Sequence, residues 1–247
     1  LDLCEVLDPA LDMNGDGLID IVRAESGSIR YWPGRGNGYW GTGSRTDCGA
    51  GSLGHDRDVV MDLAPHYQVV QGDDSLQLAD VNGDGRADLV EVRFDAVDIY
   101  LNVNGTGWTS RHVIEDTPPY LGISGRFRIL DINGSGSQDL VWTNGRDYAF
   151  IDLAGAREHV RPWLMTTVDN GLRGTTTIEY QSSTEAMFQA QTAGDPWEST
   201  MPLVTYVVSA ISFDEESGRM GASAQRIEYS HRDPIFDGVQ QEFRGFR

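Results

Sequence analysis

The sequence predicts an all-β chain, with propeller-type blades over residues 1–157 and a second β-rich domain over 158–247. Three observations lead there. An Asp-rich loop recurs three times in register, each copy runs into a short strand-like segment, and Asn-Gly and Gly-rich turn signals separate further β-rich runs.

The first copy reads Asp12-Met-Asn14-Gly-Asp16-Gly-Leu18-Ile-Asp20, and the second Asp80-Val-Asn82-Gly-Asp84-Gly-Arg86-Ala-Asp88. The third is Asp131-Ile-Asn133-Gly-Ser135-Gly-Ser137-Gln-Asp139. Oxygen-bearing side chains recur at positions 1, 3, 5 and 9, with Gly at position 6. Calcium takes six to eight oxygen ligands at about 2.3–2.6 Å. A tight loop that turns alternate side chains inward supplies several of them. Gly at position 6 permits the turn, and the backbone carbonyl at position 7 (Leu18, Arg86 and Ser137) adds one more.

An EF-hand is the obvious rival, because the second loop carries Glu91 at position 12. The other copies carry Arg23 and Trp142 there, neither able to ligate through a carboxylate. EF-hand loops also lie between helices, whereas these run into Ile21–Ala24, Leu89–Phe94 and Leu140–Trp142. The second of these alternates apolar and polar residues from Val90 to Phe94.

The unit extends past the loop. A turn at 25–27 leads to Ser28–Trp32, and the corresponding second strands are Val97–Asn102 and Tyr148–Leu153. Loop starts lie 68 and then 51 residues apart, the longer interval holding a Gly/Ser-rich insertion over 41–58. Repeats of this size with several short strands predict propeller blades or a similar β array. Three blades do not close a ring, so the chain reads as part of something longer, an expectation that the Leu at position 1 shares.

The loop–strand–turn–strand unit resembles the FG-GAP/VCBS repeat of integrin-type β-propellers. That resemblance implies calcium held by Asp12, Asn14, Asp16 and Asp20 and by Asp80, Asn82, Asp84 and Asp88, bracing the turns between blades. The third loop keeps Asp131, Asn133 and Asp139 but has Ser135 in place of a carboxylate, so its site is expected to be weaker or empty.

Beyond residue 158 the Asp loops stop. Strands are expected over Arg161–Val168 and Gly174–Tyr180, joined at Asp169-Asn170-Gly171, then over Leu203–Ile211 and Ala224–His231. The polar stretch Gln181–Thr200 reads as a loop. The order Asp169-Asn-Gly171, Thr175–Tyr180, Pro202-Leu-Val, Phe236-Asp-Gly238 and Glu242–Phe246 resembles the middle part of the insecticidal Tc-toxin B component and related SpvB-like and Rhs (YD-repeat) proteins. The resemblance implies a scaffold segment of a secreted toxin, part of a hollow β shell that encloses a toxic segment and docks on a translocation channel. Its expected partners are other parts of that shell or the channel protein.

Composition narrows the alternatives. Hydrophobic residues make up 39%, enough for a packed core, and no apolar run approaches the ~20 residues of a membrane span. A formal charge of −19 argues against nucleic-acid partners, and all 19 basic residues are Arg. Base-composition bias and a salt-adapted surface both account for the missing lysine. Cys4 and Cys48 are open to pairing or to standing as two thiols.

No zinc spacing joins His55, His66, His112, His159 and His231, and Gly36–Gly41 matches a nucleotide-loop pattern without opening a helix. The reading is therefore not an enzyme. Two rivals are a secreted or cell-surface adhesion module that stacks glycans on Trp32, Trp40, Trp108 or Trp142, and a hydrolase with dispersed carboxylates.

Overall fold

The computed structural model describes residues 11–25, 27–36, 39–41, 44–45, 58–62, 75–120, 126–153, 163–215, 225–240 and 242–247. Cys4, Cys48, His55, His66, His159 and most of the 41–58 insertion lie outside the described residues. The chain divides into two compact units, Leu1–Leu130 with Gln138–Leu153, and Asp131–Ser137 with Ala154–Arg247. The third Asp-rich loop thus groups with the second unit, although the spacing assigned it to the blades.

The first unit is a series of antiparallel hairpins. Strands β1 (Ile21–Glu25) and β2 (Ser28–Trp32) pair around Gly27, whose φ of +76° suits glycine. The short hairpin β3 (Tyr39–Trp40) and β4 (Ser44–Arg45) follows, and β5 (Val59–Val60) adds to β2. The second sheet comprises β6 (Leu76–Ala79), β7 (Asp88–Val92), β8 (Ala96–Tyr100) and, after the small hairpin of β9 (Asn102–Val103) and β10 (Gly107–Trp108), β11 (His112–Glu115). Its order is β11-β8-β7-β6. A third sheet joins β12 (Arg126–Leu130), β13 (Asp139–Thr143) and β14 (Tyr148–Asp152) in sequence order.

The second and third loops prove to be hairpin connections. Ala79 pairs with Asp88 and Leu130 with Asp139, so strands close each loop on both sides. The helices an EF-hand needs are absent from both flanks. The strand before the loop adds to the unit read from sequence, which began at the loop itself.

Two apolar clusters bind the sheets. One gathers Met13, Ile29, Tyr31, Leu89 and Trp108 between the first and second sheets; the other gathers Val81, Val90, Val97, Phe127 and Trp142 between the second and third. Phe127 and Trp142 meet edge-to-face at 5.2 Å. The residue after the first Asp of each of the first two loops, Met13 or Val81, plugs into the adjoining cluster. Its counterpart in the third loop, Ile132, stays 39% exposed. Asp98 on β8 is also buried, ion-paired to Arg93 at 2.7 Å and Arg111 at 3.4 Å. The sheets are antiparallel hairpins, and no closed ring is seen among the described residues.

The second unit centres on a four-stranded sheet of β15 (Thr167–Asp169), β16 (Gly174–Ser182), β17 (Tyr206–Glu215) and β18 (Gln225–Glu228), in that order. Asp169-Asn170-Gly171 turns β15 into β16 as expected. Between β16 and β17 lies a helix, α1 (Ser183–Thr192), where the sequence reading placed a loop. Ser182 caps it by accepting the Glu185 N–H at 3.1 Å, and Gly194, at φ +79°, ends it. β17 begins and ends later than the predicted Leu203–Ile211, and of the described part of the predicted Arg161–Val168 strand only Thr167 and Val168 are extended, in β15. A final hairpin joins β19 (Ile235–Asp237) to β20 (Glu242–Gly245).

Truncating a core side chain tests this packing. Leu89→Ala should cost about 2–5 kcal/mol in denaturant unfolding. Tyr148→Ala, at a side chain 67% exposed, should change stability by no more than about 0.5 kcal/mol.

Candidate metal-binding loops

Each loop binds its own backbone. In the first, Asp12 Oδ1 accepts the Gly15 N–H and Oδ2 the Gly17 N–H, both at 2.7 Å. Asn14 Oδ1 accepts from Asp16 N at 2.9 Å, and Asp16 Oδ1 from Leu18 N at 2.9 Å. The second loop repeats this arrangement. Asp80 accepts from Gly83, Asp84 and Gly85, Asn82 accepts from Asp84, and Asp84 accepts from Arg86. In the third, Asp131 accepts from Ser135 and Gly136, and Asn133 Oδ1 from Ser135 N at 2.8 Å. There the Ser135 hydroxyl takes the N–H of Ser137 at 3.2 Å, in the role a carboxylate plays in the other copies. Short polar side chains that bond the backbone two residues on are what allow so tight a turn.

Position 9 has a second role that spacing alone did not announce. Asp20 is buried; its Oδ2 accepts Met13 N at 2.8 Å and its Oδ1 accepts Gly34 N at 2.7 Å. Asp88, fully buried, accepts Val81 N at 3.1 Å and Asn102 N at 2.8 Å. Each carboxylate ties the start of its loop to a residue fourteen positions further along the chain. Burial pushes Asp88 up to about 7 from 3.8, the two N–H bonds opposing and the nearby Asp84 and Asp80 reinforcing the rise. Asp20 is raised in the same way, again chiefly by burial. Asp139 on β13 is equally buried.

The first two loops also touch. Ala87 N donates to Asp12 O at 2.8 Å, and the Asn102 amide to Met13 O at 2.9 Å. The stem of Arg86 runs so close to Gly15 that a Cβ there would lie 3.2 Å from its Cγ, while its guanidinium holds Asp84 at 2.8 Å. The third loop leans on different neighbours. The Tyr206 hydroxyl donates to Ser135 O, and a Cβ on Gly136 would lie 2.6 Å from the Tyr206 ring. A Cβ on Gly134 would lie 3.0 Å from the Thr184 methyl.

The donor chemistry, all oxygen, suits a hard cation. Each carboxylate oxygen that accepts one N–H retains a further lone pair. In this structure, however, the oxygens turn to their own loops, and no three His, Cys, Asp or Glu side chains gather in a metal cage among the described residues. Asp12, Asn14 and Asp16, with Asp80, Asn82 and Asp84, remain the residues best placed to hold calcium in the first two loops. Leu18 is 40% exposed at its loop's position 7, and Ser137 at that position of the third loop is buried with its hydroxyl unpartnered.

The rival sites lose their footing. Trp32, Trp108 and Trp142 are buried, so sugars cannot stack on them, and the Trp40 indole donates to Ile19 O at 3.0 Å. Glu91 and Asp98 face each other across β7 and β8, but Asp98 is held by two arginines. In the second unit a cleft of about 500 Å³ lies between α1 and β17–β18. Its Asp195 is bound by Arg232 and its Glu228 by Arg226, so it offers no pair of unneutralised carboxylates. No described helix is long and apolar enough to cross a membrane.

Stacked hairpins with self-bonded loops, followed by a sheet-and-helix unit, define a chain built almost wholly of β-sheet. The chain belongs to the family described as the insecticide toxin TcdB middle/N-terminal region, whose profile matches residues 103–247. That match takes in the third loop and the second unit, and the first two loops precede it. Solved structures share the fold. TcdB2-TccC3 without its hypervariable C-terminal region superposes with a TM-score of 0.73 at 20% identity over 96% of this chain. A Photorhabdus luminescens Tc holotoxin pore gives 0.71 at 20% identity, also over 96%. The chain spans about a tenth of the length of these structures. No curated protein matches it in sequence.

Substitutions within the loops test these roles. Asp88→Ala orphans two buried N–H groups, each worth about 1–3 kcal/mol, and should destabilise the chain more than Asp84→Ala. Because Asp88 holds its proton more tightly when folded, its contribution is full below about pH 4 and fades as pH rises through about 7. Asp88→Asn should flatten that part of the pH–stability curve, measured in chelator. Gly136→Ala should cost more than Gly85→Ala in thermal melts. Both glycines have positive φ, at +85° and +89°, but only the former meets a ring.

Proposed function

We propose that the chain is a non-catalytic structural segment of the B component of a secreted Tc-type toxin. Its FG-GAP/VCBS-like blades are braced by calcium at the first two loops, and it serves shell assembly and docking. The observation that carries this reading is the family match over residues 103–247. The shared fold over nearly the whole chain supports it. One neighbour is a complex of TcdB2 with TccC3 and another a Tc holotoxin pore, so the partners fitting this reading are other parts of such a shell and a translocation channel.

In the first two loops Asp12, Asn14 and Asp16, and Asp80, Asn82 and Asp84, hold the ion together with the position-7 carbonyls, with Asp20 and Asp88 behind them. A bound dication offsets the mutual repulsion of these carboxylates and stiffens the joint between sheets. Ser135 leaves the third loop with less charge and weaker binding.

Two measurements separate the parts of this reading. Melting in calcium should exceed melting in chelator by several degrees, through mass-action linkage, and Asp84→Ala should reduce the difference. Equal melting, with no calcium by elemental analysis, would remove the metal and leave the scaffold. Deleting residues 163–247 from the intact toxin component should abolish assembly with the channel component on size-exclusion chromatography; unchanged assembly would sink the scaffold role.

A further inference from the structure

The sheet of the second unit leaves apolar side chains open on the face away from its helix. Within a strand, successive side chains point to opposite faces, and directly paired residues share a face. Val168 pairs with Thr176, Ile178 with Ile211, Ile211 with Ile227, and Phe213 with Thr176. Val168, Ile178, Ile211, Phe213 and Ile227 therefore form one apolar face across all four strands. The opposite face carries Glu179, Ser212, Arg226 and Glu228, with Arg226 ion-paired to both Glu179 and Glu228. Arg226 and Glu228 line the cleft beneath α1, so the helix lies over the polar side.

An antiparallel sheet with one face in water normally turns its polar face outward. Here the apolar face is open around the half-buried Ile178 and Ile211. Val168 is 40% exposed, Phe213 38% and Ile227 42%. Both apolar clusters of the chain lie in the first unit, so among the described residues this sheet has no cluster of its own. Contiguous exposed apolar surface of this kind marks an interaction site. Among the described residues the outer edge of β18 is also unpaired.

We propose that this face is an interior packing surface, covered in the intact toxin component by an apolar β-sheet face from a segment of the same polypeptide outside residues 1–247. The inference rests on the shell reading above. The occupant follows from length: structures with this fold carry about nine-tenths of their chain outside the matching segment. The occupant contributes aliphatic and aromatic side chains to the Ile178–Ile211–Ile227 row, and a strand from it can extend the sheet at β18.

The test uses the intact component with p-benzoylphenylalanine in place of Phe213, irradiated and mapped by peptide mass spectrometry. The expected product is an intramolecular cross-link to a peptide outside residues 1–247. Cross-links to residues 1–153, links between two copies, or recovery of uncross-linked protein would each overturn the proposal. The first of these outcomes would leave the shell reading intact, since it only reassigns the cover to the blades. As a second measurement, Ile227→Cys in the intact component should react with a maleimide at least tenfold more slowly when native than when denatured. Equal rates would also overturn it.

Discussion

The buried aspartate at position 9 is the constraint on which the hairpins of the first unit depend. A carboxylate at the first residue of a strand accepts one N–H from the start of the loop before it and another from the turn after the next strand. Neither donor has a ladder partner at that point, so each would otherwise be buried unsatisfied. Two acceptor oxygens on one short side chain resolve both. Glutamate would overshoot the strand axis and asparagine would offer one oxygen for two donors. The arrangement also fixes where Met13 and Val81 enter the adjoining clusters, because the residue tied by the carboxylate is the one whose side chain plugs the gap between sheets. Local hydrogen bonding and core packing are set by the same atom pair.

That carboxylate is electrostatically uncomfortable. Burial raises Asp88 far above its ordinary value, and the neighbouring loop carboxylates add to the rise. The first two loops concentrate negative charge around a joint that the fold cannot do without. The Arg86 guanidinium relieves part of it at Asp84, and its stem, lying over Gly15, couples one loop to the next. A dication in the loops would act in the same sense on the remaining charge.

Much of the architecture was legible because it is periodic. The strands after each loop fall within a residue or two of the segments read from alternation, and the Asp169–Gly171 turn was announced by its residue types. Other features carry weaker signals. The strands before the second and third loops are short and, in Arg126–Leu130, interrupted by arginines, so nothing separates them from connectors. Helix α1 has almost no apolar face, with only Ser183 and Ala186 buried, and apolar spacing therefore could not reveal it. The Ser182-x-x-Glu185 box, followed by helix formers and ended by Gly194, was the available signal. In the loops, spacing identified the oxygen-bearing side chains but could not say which lone pairs the backbone uses, because that depends on partners fourteen residues away.

The third loop shows how these roles come apart. With Ser135 in place of a carboxylate, it keeps the same turn, and the serine hydroxyl receives the same N–H that an aspartate oxygen receives elsewhere. Its glycines, meanwhile, admit Tyr206 and Thr184. Shape and charge are thus separately heritable in this repeat. A copy can lose a carboxylate at this position, retain the bend, and offer its glycine surface as a seat for a neighbouring aromatic. A chain of such repeats can trade charged joints for carbon-packed ones, one copy at a time, with each hairpin connection kept.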